Sequence, residues 1–299
     1  MMETRSPEGG TLLFGIQTVQ SDPWPELVRR WRWFETLGFD SLWVPDHLVK
    51  PFTPHLPLYE AWTTLAGMAM VTERVRIGVL VSSNTFRHPG VLAKQAVTLD
   101  HMSGGRLEVG LGAGWYVDEH EQYGIDLPAP ALLVDRFREA VEAVDLLLRQ
   151  EVTGFAGTHY TLTNAFFSPR PLQSPRPPLT LGAHKPKMLA IVARHAQRWN
   201  SIGTPAEIAG RNAALDDACR SIERDPASIL RSLLYVPAQY PGEDPWQSVG
   251  AFADFVGRYR EAGMREFLFQ PPGNDRAEIV ERIVADVVAP ARSAGVVGG

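Results

Sequence analysis

Cysteine is nearly absent from this chain: Cys219 is the only one among 299 residues. A single thiol can build neither an internal disulfide nor a thiolate metal cage, so stapled and zinc-finger-like designs are excluded and a reducing, cytoplasmic setting is expected. Lysine is confined to Lys50, Lys94, Lys185 and Lys187, and the charges, 34 acidic against 29 basic, form no block of one sign. Without a basic stripe to neutralise phosphates, nucleic acid is not an expected partner. No apolar run is long enough to span a bilayer, which takes roughly 18 residues or more, so no membrane partner is expected either. The opening "MMETRSPEGG" reads as a frayed polar tail over 1–10 and the chain as soluble. Also missing are the G-x-S-x-G elbow of serine hydrolases and the G-x-x-x-x-G-K loop of nucleotide triphosphatases. The histidines His55, His88, His101, His120, His159 and His195 show no H-x-x-x-H pairing, and no metal is expected.

What the chain does contain is a regular alternation of short apolar runs and longer amphipathic ones. "TLLFGIQT" reads as a strand, followed by a helix with Leu27, Trp31, Phe34 and Leu37 at helical spacing and Gly38 as its stop. The same unit recurs through "FDSLWVP", "VRIGVLVSS" and "RLEVGLG", the last leading to a long helix with Val134, Phe137, Val141, Val144 and Leu148 on one face. The rhythm breaks over 151–178, where two alternating runs around "FAGTHY" indicate a hairpin and five prolines between Pro169 and Pro178 indicate an extended crossing. It then resumes for four more units, beginning at "LTLGA", "RWNSI", "ILRSLLYVPA" and "EFLFQPP". Apolar strands separated by helices imply parallel pairing with both faces covered. Eight such units predict an α/β fold, a (β/α)8 TIM barrel with an insertion after the fourth βα unit, as one domain over 1–299. A doubly wound open sheet is the alternative.

In a barrel, catalytic groups gather at the carboxyl ends of strands. Asp46 and His47 stand at such an end, after "SLWVP", where an imidazole could move a proton near neutral pH; the plain alternative is a turn aspartate beside an idle histidine. "LEVGLGAGW" places Gly110, Gly112 and Gly114 at the end of strand four, with Ala113 between the last two. Trp115 stands where a dinucleotide fingerprint needs its third glycine, which disfavours a nicotinamide site; the glycines suit a flat ring or a phosphate against the backbone, or simply close packing at a strand end. Ser82, Ser83 and Asn84 close strand three and suit either the edge of a heterocycle or an ordinary turn. Gly182, Ala183, His184 and Lys185 precede a helix that Pro186 can open, a setting for an anion or simply a solvated loop.

Several stretches together resemble the luciferase-like monooxygenase superfamily, in particular its coenzyme F420-dependent oxidoreductases: "LGFDSLWVPDH", "TERVRIG", "HPGVLAKQAVTLDHMSGGRLEVGLGAGW", "EHEQYGI", "FAGTHYTL", "PRPLQSPRPPLTLGA" and "ARHAQRWN". The resemblance implies a TIM barrel, often a homodimer, that holds F420, or alternatively FMN, at its mouth. It implies a bulge with a non-prolyl cis peptide among Val79, Leu80 and Val81 beneath the cofactor ring. Asp46 matches the ring-contacting aspartate and His47 the acid/base histidine. Gly112, Ala113 and Gly114 match the backbone beside the cofactor, and Gly182 to Lys185 its phosphate-side loop. Trp115 replaces a glutamate and Asn84 a proline of the sugar-phosphate dehydrogenases in this group, so a different small-molecule substrate is expected, with Trp115 in its pocket. Glu119, one helical turn beyond Trp115, is the candidate to supply the missing acid. The implied reaction is hydride transfer between the deazaflavin and a small organic substrate. An FMN-dependent monooxygenase and a barrel that binds cofactor without turnover are the alternatives.

Overall fold

Proline and short polar side chains set where the helices begin. The computed structural model describes residues 11–293, and the expected tail over 1–10 lies outside the described residues. In chain order the elements are β1 (Leu13–Gln17), α1 (Trp24–Leu37), β2 (Ser41–Val44), α2 (Ala61–Val71), β3 (Arg76–Val79), β4 (Ser82–Ser83), α3 (Pro89–Met102) and β5 (Leu107–Gly112). Next come α4 (Val117–Tyr123), α5 (Pro130–Arg149), β6 (Val152–Ala156), β7 (Thr161–Phe166), β8 (Leu179–Gly182), α6 (Pro186–His195) and β9 (Arg198–Ser201). The chain continues with α7 (Pro205–Arg220), β10 (Leu230–Tyr235), α8 (Val249–Glu261), β11 (Glu266–Phe269), α9 (Ala277–Ile283) and α10 (Ala289–Ser293). Proline is the first residue of α3, α5, α6 and α7, where its missing N–H costs nothing. Thr204 and Glu207 form a capping box on α7.

Strand neighbours follow the order β3-β2-β1-β11-β10-β9-β8-β5-β4, with β3 also paired to β5. The fold is the α/β (β/α)8 TIM barrel that the alternation predicts. β2, β5 and β11 are buried along their whole length, as strands with two covered faces must be. No helix among the described residues is long and apolar enough to cross a membrane.

The chain forms two compact units. The first comprises 19–31 and 44–182. In it α3 packs along α5, burying Leu92, Ala96, Phe137, Val141, Val144 and Leu148. β5 runs parallel to β3, β4 and β8. The insertion begins with the antiparallel hairpin β6–β7, and its turn is fixed by one carboxylate. Glu139 on α5 accepts the N–H groups of Thr158 (3.0 Å), His159 (2.8 Å) and Tyr160 (3.3 Å). A side chain at Gly157 would lie 2.2 Å from that carboxylate, so only glycine fits there. The prolines that follow are extended, with cis peptides at Ser168–Pro169 and Ser174–Pro175, and Asp100 holds the crossing by accepting from Leu172 and Gln173 N–H at 2.6 and 3.2 Å.

Burial pushes the Glu139 carboxyl up, but the three backbone donors outweigh it and hold it below the ordinary carboxylate value. A depressed carboxylate stabilises the fold above its unfolded pKa of about 4.3, and that stability disappears as pH falls through the folded value. We therefore expect the 158–160 amides to lose hydrogen-exchange protection below about pH 4, ahead of the β5 amides. Simultaneous loss in both places would show that Glu139 does not control the hairpin.

The second unit comprises 11–18, 32–43 and 183–293 among the described residues. Its core is aromatic, with Phe14 stacked on Phe267 at 5.8 Å and Phe252 tilted against Phe269 at 4.7 Å. Arg198 and Glu266 form a buried ion pair at 2.9 Å, and the guanidinium lies over Trp43.

Three local differences from the pattern matter. Strand three does not run unbroken over 75–83, because a cis Leu80–Val81 peptide separates β3 from β4. The stretch after Trp115 forms α4, whose acidic, weakly periodic sequence gave no helical signal of its own. The last helix passes through a π turn at Val284–Val288 between α9 and α10.

Candidate active site

The first unit alone brings the strand-end residues Asp46, His47, Val81, Ser83 and Gly112 to one place, together with Glu119 of α4. His47 Nδ1 lies 2.8 Å from Glu119 Oε1, and Glu119 Oε2 accepts the Leu48 N–H at 3.0 Å. Glu119 is buried, while the His47 side chain keeps 14% of its surface exposed. A carboxylate can only accept, so Nδ1 carries the hydrogen and Nε2 is the nitrogen available to exchange a proton. Among the described residues Nε2 has no hydrogen-bond partner. Glu119 thus fixes the tautomer and orientation of His47.

Asp46 is committed elsewhere. Its carboxylate accepts the Ser83 N–H at 2.8 Å and is gripped by both terminal nitrogens of Arg87, one of them at 3.0 Å. Its residue is 5% exposed, and the Arg87 side chain is also largely buried. Arg87 reaches on to Glu60 at 3.3 Å, whose carboxylate caps α2 through the N–H groups of Trp62 and Thr63. Burial pushes the Glu60 carboxyl up, but those two donors and the Arg87 charge hold it below the usual carboxylate value. Asp46 therefore ties the end of β2 to the segment after the Leu80–Val81 break.

The glycines serve that break. A Cβ at Gly110 would meet the Val79 carbonyl oxygen at 1.9 Å, and one at Gly112 would meet Val81 Cγ2 at 2.5 Å. Gly182 approaches the same Val81 methyl, at 3.3 Å. Close approach of the bulge, rather than backbone freedom, explains two of the three glycines of "LEVGLGAG". Gly114 is the third, at φ 100°, a left-handed region that favours glycine. Ser82 Oγ accepts from Trp62 Nε1 at 3.1 Å, and Asn84 N–H donates to the Gly112 carbonyl at 2.9 Å. The Asn84 amide reaches Tyr160 of the insertion hairpin at 3.4 Å. Ala113 is half-buried between these groups.

Sequence reasoning missed a second polar chain. His120 Nδ1 is 2.6 Å from the Tyr116 carbonyl, and its Nε2 is 2.7 Å from Thr85 Oγ1, which is 2.7 Å from Ser83 Oγ. The carbonyl can only accept, so Nδ1 of His120 holds a hydrogen, and Thr85 Oγ1 links the ring's Nε2 to the Ser83 hydroxyl. Arg87, Thr85 and His120 carried no motif; the only available clue was a lone arginine in "SSNTFRHP", directly after the polar end of strand three.

Ala183, His184 and Lys185 belong to the second unit. Ala183 is buried with its carbonyl accepting from Trp199 Nε1 at 2.8 Å, whereas His184 and Lys185 are exposed. Lys185 is the N-cap of α6 and provides no side-chain cap, so the first-turn N–H groups of α6 face outward uncapped by a side chain. Among the described residues no group of three or more His, Cys, Asp or Glu side chains is placed to hold a metal ion.

Strand ends that carry an oriented imidazole define the class as a TIM-barrel enzyme. Residues 9–262 match the family described as luciferase-like monooxygenase; the chain belongs to that family and is an oxidoreductase. It is 29% identical over 265 residues to the phthiodiolone/phenolphthiodiolone dimycocerosates ketoreductase of Mycobacterium tuberculosis, covering 80% of this chain and 68% of that protein. Among solved structures, an F420-dependent secondary alcohol dehydrogenase in complex with an F420-acetone adduct superposes with a TM-score of 0.81 at 20% identity, over 94% of this chain and 99% of that one. The coenzyme F420-dependent tetrahydromethanopterin reductase of Methanopyrus kandleri gives 0.79 at 16% identity over 94% and 99%. The long-chain alkane monooxygenase LadA gives 0.77 at 13% identity over 94% and 92%. At these identities the structures show the shared fold.

Proposed function

We propose that the protein is a coenzyme F420-dependent oxidoreductase acting on a secondary alcohol or the corresponding ketone. The observation that carries this reading is the His47–Glu119 pair, which leaves one imidazole nitrogen free on the residue after Asp46, whose carboxylate holds the Ser83 segment. The likeness to a ketoreductase and to an F420-dependent alcohol dehydrogenase supports the choice of substrate class.

The residues present fit a flat ring system. Val81, half-buried and backed by Gly112 and Gly182, offers an apolar seat, and the Ser83 hydroxyl and Asn84 amide offer polar partners for a heterocycle edge. The bound deazaflavin would accept or return a hydride. The protein supplies the accompanying proton movement: when an alcohol is oxidised, the carbinol C–H leaves as hydride and its O–H proton passes to His47 Nε2 as the C=O bond forms. Ketone reduction runs these steps backwards. Asp46 and Arg87 act as positioning residues, holding the Ser83 segment in place. A homodimer is part of this reading.

The test is bleaching or recovery of the deazaflavin absorbance with secondary alcohols and ketones. Hydride exchange with neither substrate type, in protein shown to bind the cofactor, would refute the proposal.

A further inference from the structure

Trp115 and Phe52 stand largely in solvent beside the catalytic candidate. Trp115 is 56% exposed and Phe52 67%. The Trp115 ring meets His47 edge-on at 5.6 Å and 90°, and it lies 6.2 Å from Phe52. Buried Tyr116 backs both, 5.1 Å from Trp115 and 5.6 Å from Phe52. Single exposed apolar residues are ordinary, but rings grouped around an imidazole with a free nitrogen are not scattered surface.

The backbone is also arranged to present this group. Phe52 has φ 65°, in the left-handed region that bulky residues rarely adopt. Its N–H donates to the Tyr116 hydroxyl at 3.2 Å, and that hydroxyl donates to Asp118 at 3.2 Å. A strained residue persists where its surroundings enforce it, and here they hold an apolar ring in water.

We infer that Trp115 and Phe52 form a subsite for an aromatic group attached to the reacting carbon, so that the preferred substrate is an aryl-substituted secondary alcohol or its ketone. This rests on the proposed function. Aromatic groups pair edge-to-face or offset with ring centroids about 4.5–7 Å apart, which an aryl ring on Trp115 can satisfy while its oxygen reaches His47 Nε2. In oxidation the carbinol C–H pair goes to the deazaflavin and the O–H proton to His47, leaving the aryl ketone. Glu119, bonded to His47, and Asp118, bonded to the Tyr116 hydroxyl, disfavour a substrate that carries its own negative charge.

The experiment compares kcat/KM for the alcohol of acetophenone and for isopropanol in the wild type, Phe52→Ala, Trp115→Ala and Trp115→Phe. It also measures equilibrium binding of acetophenone without reduced cofactor. We expect the aryl-to-isopropyl ratio of kcat/KM to fall about tenfold in each alanine variant and to recover substantially in Trp115→Phe. Acetophenone binding should weaken in parallel. An unchanged ratio, or acetophenone binding indifferent to both alanine changes, would overturn the subsite. So would concentration-dependent self-association that both alanine variants abolish while the ratio stays fixed, since the rings would then serve a second copy of the chain. If no alcohol is oxidised at all, the proposed function fails, and the acetophenone binding series still decides whether the rings form an aryl site.

Discussion

Replacing His47 with alanine lowers kcat by about 10²- to 10⁴-fold, the usual contribution of a positioned general acid/base. Cofactor affinity stays close to wild type, because among the described residues the His47 ring is bonded to Glu119 and touches Trp115 and Tyr116. Glu119→Gln is the companion variant: it keeps the shape and a hydrogen bond to Nδ1 but removes the carboxylate charge beside the ring, so its loss is smaller. Steady-state kinetics across pH with a bound alcohol would check both. Unchanged turnover in His47→Ala would remove His47 from catalysis and end the mechanism given above.

The second large effect is on stability. Asp46→Ala destabilises the protein by about 3–5 kcal/mol, the range for removing one partner of a buried ion pair. The variant leaves the Ser83 N–H without its acceptor and Arg87 with Glu60 alone, at 3.3 Å, in a largely buried setting. For a chain of this size the melting temperature falls on the order of 10 °C. Asp46→Asn costs less, since the amide oxygen can still accept from Ser83. Denaturant unfolding of both variants is the check, and a loss below about 1 kcal/mol would place the pair with ordinary surface salt bridges.

The architecture was legible because it depends on periodicity. Runs such as "RLEVGLG" and "EFLFQPP" are apolar throughout, and a strand covered on both faces has no other way to read. Pro186 marked a helix start for a reason intrinsic to its chemistry. The hairpin over 152–166 was visible as alternation. Asp46 and His47 stood out because a strand ended on them. Their partners did not: the Arg87 grip on Asp46 spans 41 positions and the Glu119 bond to His47 spans 72, and no local pattern encodes pairings made by tertiary packing. The glycines of strand four were seen, and two purposes were open for them, a flat ligand or close packing at the strand end. Their spacing suggested room for a flat ligand, and the close neighbours turned out to be the Val79 carbonyl and the Val81 side chain. Phe52 attracted no notice because nothing in "KPFTP" announces a left-handed backbone or an exposed ring.

The chemistry described here needs a deazaflavin at the mouth of the barrel. Equilibrium titration of the purified protein with coenzyme F420 and, separately, with FMN tests that most directly. Saturable F420 binding that exceeds FMN binding under the same conditions is the predicted result. Tight FMN binding with no F420 binding would contradict it and make the protein a flavin enzyme.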